Sequence, residues 1–368
     1  VVRNRVFLHK DVTARRNSKK PGFFSHITSD SIVLYSFLLS PSAFSVASVV
    51  KSFRCNRKRY QNASKTDHFT RNQIMNFYIV DVFAESKYAG NQLAVFCGAG
   101  VAELSEVQML MIAREINYSE TTFVRSPEMQ NGGYDVRIFT PKKELPFAGH
   151  PTLGTAFVLQ QELIKKLVEQ VILNLAVGQI PVTFNYHNEA ADILWMRQNQ
   201  PKFGQVLSAE SLANVLNLEV DEIDSRFPIQ EVSTGVPFII VPLKTLASLK
   251  KAQVNLDKYF ELIETTEAKE ILIFCPETYS DINDLSVRVF AHSLGIPEDP
   301  ATGSANGCLA GYLVEYAYYG AEKIDVRVEQ GYEINRPSLL LLQAQRNPGK
   351  IEVLVGGKVV MVAKGEFV

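Results

Sequence analysis

The chain has 368 residues, 46% hydrophobic, 21% charged and 10% aromatic, an ordinary globular balance with length for two or three domains. A net charge of −1 offers no overall attraction to nucleic acid or anionic lipid. Cys55, Cys97, Cys275 and Cys308 lack metal-ligand spacing and read as buried thiols of a reducing compartment.

The net charge hides an asymmetry. Residues 1–74 hold 14 Lys and Arg against 3 Asp, and residues 75–368 hold 24 against 36 acidic residues. The first methionine is Met75, where the text turns into the strand-like "MNFYIVDVF". The uncharged run from Ser31 to Val50 carries six serines and Pro41, which makes a poor membrane-spanning helix. Three readings compete for residues 1–74: a targeting segment, a weak anchor, or upstream sequence foreign to the natural protein. The third is favoured, so the expectation is an extension outside the fold. The location expected with it is cytoplasmic, with organelle targeting as the alternative.

From Met75 on, strands are expected at Phe77–Phe83, Leu93–Cys97, Thr121–Arg125, Tyr134–Thr140, Val171–Leu175, Ile180–Tyr186 and Ile193–Arg197. A helix is expected over Glu103–Ile116, where apolar residues recur at helical spacing. The second half repeats the style. Strands are expected at Phe238–Pro242, Ile271–Phe274, Val287–Ala291, Val326–Glu329 and Leu339–Gln343, and a ribbon over Ile351–Phe367. Helices are expected at Ala209–Leu216 and Leu256–Ile263.

The halves also repeat in sequence. "VRIFTPKKELPFAGHPTLGTA" from Val136 lies on "VRVFAHSLGIPEDPATGSA" from Val287 with a two-residue gap. Each copy reads as strand, loop, proline, small hydroxylated residues and helix, the pattern of a duplicated domain with pseudo-two-fold symmetry. Between Ala301 and Tyr319 the only charge is Glu315, and Thr152–Leu159 has none. Helices without a polar face are buried all round, here by sheet. Two such N-termini facing each other across a cleft would hold an anion, most simply a carboxylate.

The residues at these helix starts carry the candidate chemistry. Asp299 before Pro300 fits an N-cap followed by proline at the first helical position, and a capping carboxylate at a cleft would still face a ligand. His150 occupies the matching place in the first copy, where a histidine caps poorly but transfers protons well, although it could simply pack there. Gly154 and Gly303 admit close approach of backbone to ligand, and Thr155 and Ser304 could be small packing residues. Glu120, in "INYSETTFV", would usually be a solvated loop carboxylate. Buried beside a cleft, it would have a raised pKa suited to a general base. No GxGxxG, GK[ST] or GxSxG loop is present, so nucleotide binding and a serine nucleophile lack support.

"FYIVDVFAESKYAGNQLAVF", "NYSETTFV", "FTPKKELPFAGHPTLGTAF", "STGVPF", "GIPEDPATGSA" and "QGYEINRPS" resemble, in order, the signature segments of the PhzF-like isomerases of phenazine biosynthesis. The resemblance covers Met75 to Val368. It implies an α+β, diaminopimelate-epimerase-like fold of two pseudo-symmetric domains, each a curled, mostly antiparallel sheet around a central helix. The expected domains are 75–198 and 199–355, with 356–368 returning to the first. By the resemblance, the catalytic residues fall on Glu120, His150, Asp299 and Ser304. The substrate-binding residues fall on Ser119, Gly149, Thr302 and Gly303. One departure is Gln92, where the family pattern has proline after Gly90-Asn91, a change expected to affect loop stiffness more than chemistry. The related epimerases carry two cysteines at the helix starts, whereas this chain has His150 and Asp299 near those places, which disfavours a two-thiol mechanism.

The expected function is a cofactor-independent isomerase that moves a proton on a small carboxylate-bearing metabolite, with no metal, nucleic-acid or membrane partner and a homodimeric assembly. The alternatives are an amino-acid epimerase or racemase of the same fold, or a non-catalytic binding protein. Intact Glu120, His150, Asp299 and Ser304 count against the last.

Overall fold

A computed structural model describes residues 75–368. The expectations for the extension 1–74 and for Cys55 lie outside the described residues.

Eight strands form the first half of one continuous sheet: β1 (Met75–Val82), β2 (Asn91–Cys97), β3 (Glu120–Val124), β4 (Tyr134–Phe139), β5 (Glu144–Leu145), β6 (Gln170–Leu175), β7 (Gly178–His187) and β8 (Ala190–Arg197). The second half holds β9 (Lys202–Leu207), β10 (Ile229–Ser233), β11 (Pro237–Pro242), β12 (Glu270–Cys275) and β13 (Leu285–Ala291). It continues with β14 (Ile296–Asp299), β15 (Lys323–Gln330), β16 (Ser338–Asn347), β17 (Lys350–Gly357) and β18 (Val359–Phe367).

Pairing follows the order β18-β1-β2-β3-β4-β6-β7-β8 and then β17-β16-β15-β13-β12-β11-β10-β9, with β8 against β17 as the join. The only parallel pairs in this path are β2–β3 and β4–β6 in one half and β11–β12 and β13–β15 in the other. The two halves therefore repeat one topology. The chain changes sides twice: β9 follows β8 but pairs with β10, and β18 follows β17 but pairs with β1 of the first half.

Each half curls around one helix. In α3 (Gly149–Val158) all ten residues are buried, against β1, β2, β3 and β6 to β8. In α7 (Gly303–Glu315) all but Ser304 and the terminal Glu315 are buried, against β10, β11 and β15 to β17. Neither helix has a charged outer face to present, so burial on every side is the only stable placement. Outer helices cover the other sheet faces. On the first half these are α1 (Ala99–Ala102) and α2 (Glu106–Ile116), packed over Phe96, Phe123 and Phe139. On the second they are α4 (Ala209–Leu216), α5 (Leu246–Lys251) and α6 (Leu256–Ile263).

The differences from expectation have local causes. The helix expected from Glu103 starts at Glu106, because Ser105 and Gln108 form a reciprocal capping box. Within the ribbon Ile351–Phe367, β17 pairs with β16 and β18 pairs with β1. Strand β10 escapes the sequence pattern because buried Gln230 and Glu231 interrupt its apolar run. Glu231 earns its burial by accepting from the backbone N–H groups of Gln205 and Ala268.

Candidate active site

The starts of α3 and α7 approach each other so closely that a Cβ on Gly149 would lie 3.5 Å from Ser304 N and 3.7 Å from Gly303 Cα. Beside them opens a cavity of about 330 Å³, reached by Glu120, Gly149, His150, Asp299, Thr302, Gly303 and Ser304. Its walls are apolar, with Phe147 from the first half and Phe238, Val289 and Ile296 from the second. Ser119 is half-buried and does not line the cavity; the other expected site residues are brought together there.

Glu120 is the first residue of β3. Its side chain is 13% exposed, and burial first, then the charge of Asp299, pushes its carboxyl up from 4.5 to about 8. Among the described residues its Oε2 has no hydrogen-bond partner, and it faces the equally unpartnered Nε2 of His150 at 3.5 Å. His150 is the second residue of α3, after an Ala148 cap, and so does not stand at the boundary position. Burial pushes its imidazole down to about 3, against a hydrogen bond to the Gln92 backbone that favours the proton. The neutral ring turns its unpartnered Nε2 toward Glu120. The Gln92 carbonyl is a group a proline would also offer, so the departure at this position leaves the contact available.

Asp299 corrects an expectation. It does not cap α7 and Pro300 is not the first helical residue: Asp299 ends β14, and Thr302 is the capping residue. The Asp299 carboxylate instead accepts from Asn91 Nδ2 at 3.0 Å and from the Thr302 hydroxyl. Gln330 Nε2 donates to the Asp299 carbonyl at 2.8 Å and to Thr302 Oγ1 at 3.0 Å, while Gln330 Oε1 accepts from Asn306 Nδ2. These bonds stretch the chain before α7 and keep it from winding into a helical turn. Burial still lifts the Asp299 carboxyl to about 6, opposed by the Thr302 and Asn91 hydrogen bonds. Asn91 and Gln330 are the site-organising residues that sequence reasoning missed; each is a buried amide distant in sequence from Asp299.

Among the described residues no cysteine lines the cavity. Cys308 lies in the sixth position of α7, its buried thiol pushed up to about 12 and directed at Thr234 and the Val236 carbonyl. Among the described residues no cluster of His, Cys, Asp or Glu is arranged to hold a metal, and no helix is long and apolar enough to cross a membrane.

This double, curled sheet around two helices is found in solved structures of other proteins. It is shared with a hydroxyproline epimerase from Agrobacterium vitis at a TM-score of 0.53, over 80% of this chain and 91% of that one, with 10% identity, a likeness of fold alone. Closer is a phenazine biosynthesis protein of the PhzF family from Bacillus anthracis, with TM-score 0.73 and 27% identity over 81% of this chain and 100% of that one. The family model described as phenazine biosynthesis-like protein matches residues 80–365, and the chain belongs to that family. Among curated relatives, an uncharacterized isomerase of Clostridium acetobutylicum is 32% identical over 303 residues, 80% of this chain and 98% of that protein. The trans-2,3-dihydro-3-hydroxyanthranilate isomerase of Pseudomonas aeruginosa is 31% identical over 283 residues, 73% of this chain and 90% of that one. The protein is an isomerase of this family.

Proposed function

We propose that the protein shifts a proton between carbons of a small, carboxylate-bearing substrate without a cofactor, with Glu120 as the acid and base. The observation that carries this reading is the Glu120–His150 pair, two buried polar atoms with no protein partner, opening onto the cavity at the two helix starts. The N–H groups at those starts are free of intrahelical bonds and aimed to hold a carboxylate. Negative charge that develops on the substrate during carbon deprotonation is stabilised there, as in an oxyanion site.

The step balances without redox chemistry. Ionised Glu120 takes a proton from one carbon, the electron pair spreads into the adjoining unsaturated or carboxylate-stabilised system, and the proton returns at a second carbon. A carboxyl near 8 suits this work, because either protonation state is accessible close to neutrality. His150 Nε2 faces Glu120 Oε2 at 3.5 Å and offers an acceptor to the protonated carboxyl. Asp299 and Ser304 position substrate from the other side. The name of the 31% identical Pseudomonas relative makes cyclic dihydro-hydroxy carboxylates the first substrates to try. The domain division at 198/199 belongs to the same proposal and is supported by the crossed pairing of β9 and β18.

The test is deuterium exchange. The wild-type protein in D2O with a panel of cyclic and amino carboxylic acids should exchange a carbon-bound hydrogen of at least one member and interconvert two isomers, both read by NMR. Interconversion at a single stereocentre, with no migration between carbons, would replace this reading by epimerisation. No exchange across the panel would count against both.

A further inference from the structure

The pseudo-two-fold axis gives Glu120 a counterpart. In the first half Thr121 pairs with Phe139 of Val136-Arg137-Ile138-Phe139, and in the second Ile271 pairs with Phe290 of Val287-Arg288-Val289-Phe290. The residue before each is a glutamate that opens its strand, Glu120 on β3 and Glu270 on β12, and both line the same cavity.

The two are equipped differently. Glu120 Oε2 has no hydrogen-bond donor. Glu270, 5% exposed, receives the Ser293 hydroxyl on Oε1 at 2.5 Å. Its Oε2 lies 3.4 Å from the Tyr259 hydroxyl, but the single proton of that hydroxyl is directed to the Lys269 carbonyl at 2.6 Å. Oε2 is thus left with spare acceptor capacity. Burial raises the Glu270 carboxyl, and the Ser293 and Tyr259 contacts oppose the rise. One glutamate is left bare for proton transfer, and its counterpart is given a donor that favours its charged form.

Among the described residues no cation compensates that charge. The titratable groups lining the cavity are Glu120, Glu267, Glu270, Asp299, His150 and Lys269. The Lys269 ammonium is turned onto the carbonyls of Ile263 and Thr266, and His150 is neutral. A buried carboxyl without a countercharge either keeps its proton or ionises against a cation that a ligand supplies. We infer that Glu270, held by Ser293, forms a second subsite that takes an ammonium group of the substrate, remote from the carboxylate held at the helix starts. The substrate class is then amphoteric, with a carboxylate at one end of the cavity and a primary ammonium toward the other. The carboxylate half of this inference rests on the proposed function; the ammonium half stands on Glu270.

The experiment uses calorimetric titration of the full chain with three matched series: unbranched ω-amino acids of three to six carbons, the fatty acids of the same lengths, and the corresponding n-alkylamines. At one chain length the amino acid should bind about tenfold or more tighter than the fatty acid, the effect of one charge-assisted hydrogen bond. In Glu270→Gln that advantage should vanish, with fatty-acid binding unchanged. Equal binding of amino and fatty acids at every length in the wild-type protein overturns the inference, a comparison that needs no variant to fold. An advantage that survives in Glu270→Gln overturns it too. If fatty acids fail to bind while alkylamines bind and depend on Glu270, the ammonium subsite stands and the carboxylate reading fails.

Discussion

Glu120 and His150 meet with 3.5 Å between Oε2 and Nε2, and neither atom has another partner among the described residues. With the carboxyl near 8 and the imidazole near 3, the prevailing state at neutral pH is uncharged on both sides. An uncharged pair suits a site buried this deeply, and it leaves one proton that can move.

The raised Glu120 carboxyl has a consequence for stability. Between its ordinary 4.5 and about 8 the folded protein binds a proton that the unfolded chain has released, so this group's contribution is full below 4.5 and is lost as pH rises through 8. Glu120→Gln removes that loss. The variant should match the wild type at pH 4 and exceed it at pH 9 by on the order of 2–4 kcal/mol, measured by urea unfolding. Equal stability at pH 9 would place the carboxyl near its ordinary value.

His150 should stay neutral across the working range. Its ring is expected to show no titration between pH 5 and 8 by nitrogen-15 NMR, since burial holds it near 3. An imidazole that titrates near 6.5 would show that the ring is hydrated, and the pairing with Glu120 would have to be redrawn.

Asp299 tests the corrected role at the head of α7. As a cap, it could become Asn with little effect. In the structure its carboxylate accepts from Asn91 and Thr302, and Thr302 Oγ1 already accepts from Gln330. An amide NH2 placed there meets a donor on either side. Asp299→Asn should therefore lower stability by about 1–3 kcal/mol. A melting temperature equal to that of the wild type would restore the capping role.

Two glycines on one helix should respond oppositely. A Cβ on Gly154 would lie 2.6 Å from Leu93 Cδ2 and 2.9 Å from Val82 Cγ2, so Gly154→Ala should destabilise by about 1–3 kcal/mol through overpacking. A Cβ on Gly149 meets nothing closer than 3.5 Å but fills the space between the two helix starts. Gly149→Ala should fold normally and lose carboxylate binding about tenfold or more, the loss of one charge-assisted hydrogen bond. Unchanged affinity in that variant would move the carboxylate away from the helix starts.

The duplication was legible because Val-Arg-x-Phe and the uncharged helices depend on local pattern alone, and they carried the two-fold architecture with them. Asp299 was misread because Asp-Pro is a local helix-start signal. The groups that overrule it, Asn91 and Gln330, lie 208 and 31 residues away in the chain. Glu120 stood out only through family resemblance, since nothing in "YSETTFV" tells a buried carboxylate from a solvated one. Glu270 was invisible for the opposite reason: "EILIFC" reads as an ordinary core strand, and its kinship with Glu120 exists only in the sheet registers.

The most direct test of the central claim is the exchange rate of Glu120→Gln beside the wild type, on the carboxylate that exchanges fastest, from pH 6 to 9. Glutamine keeps the volume and an acceptor oxygen but cannot take the proton. The wild-type rate, as kcat/KM, should rise with pH and level off near 8, where Glu120 becomes ionised. The variant should be slower by about 10²–10⁴-fold at every pH, with ligand affinity retained. A Glu120→Gln protein that exchanges at the wild-type rate would remove Glu120 from the chemistry.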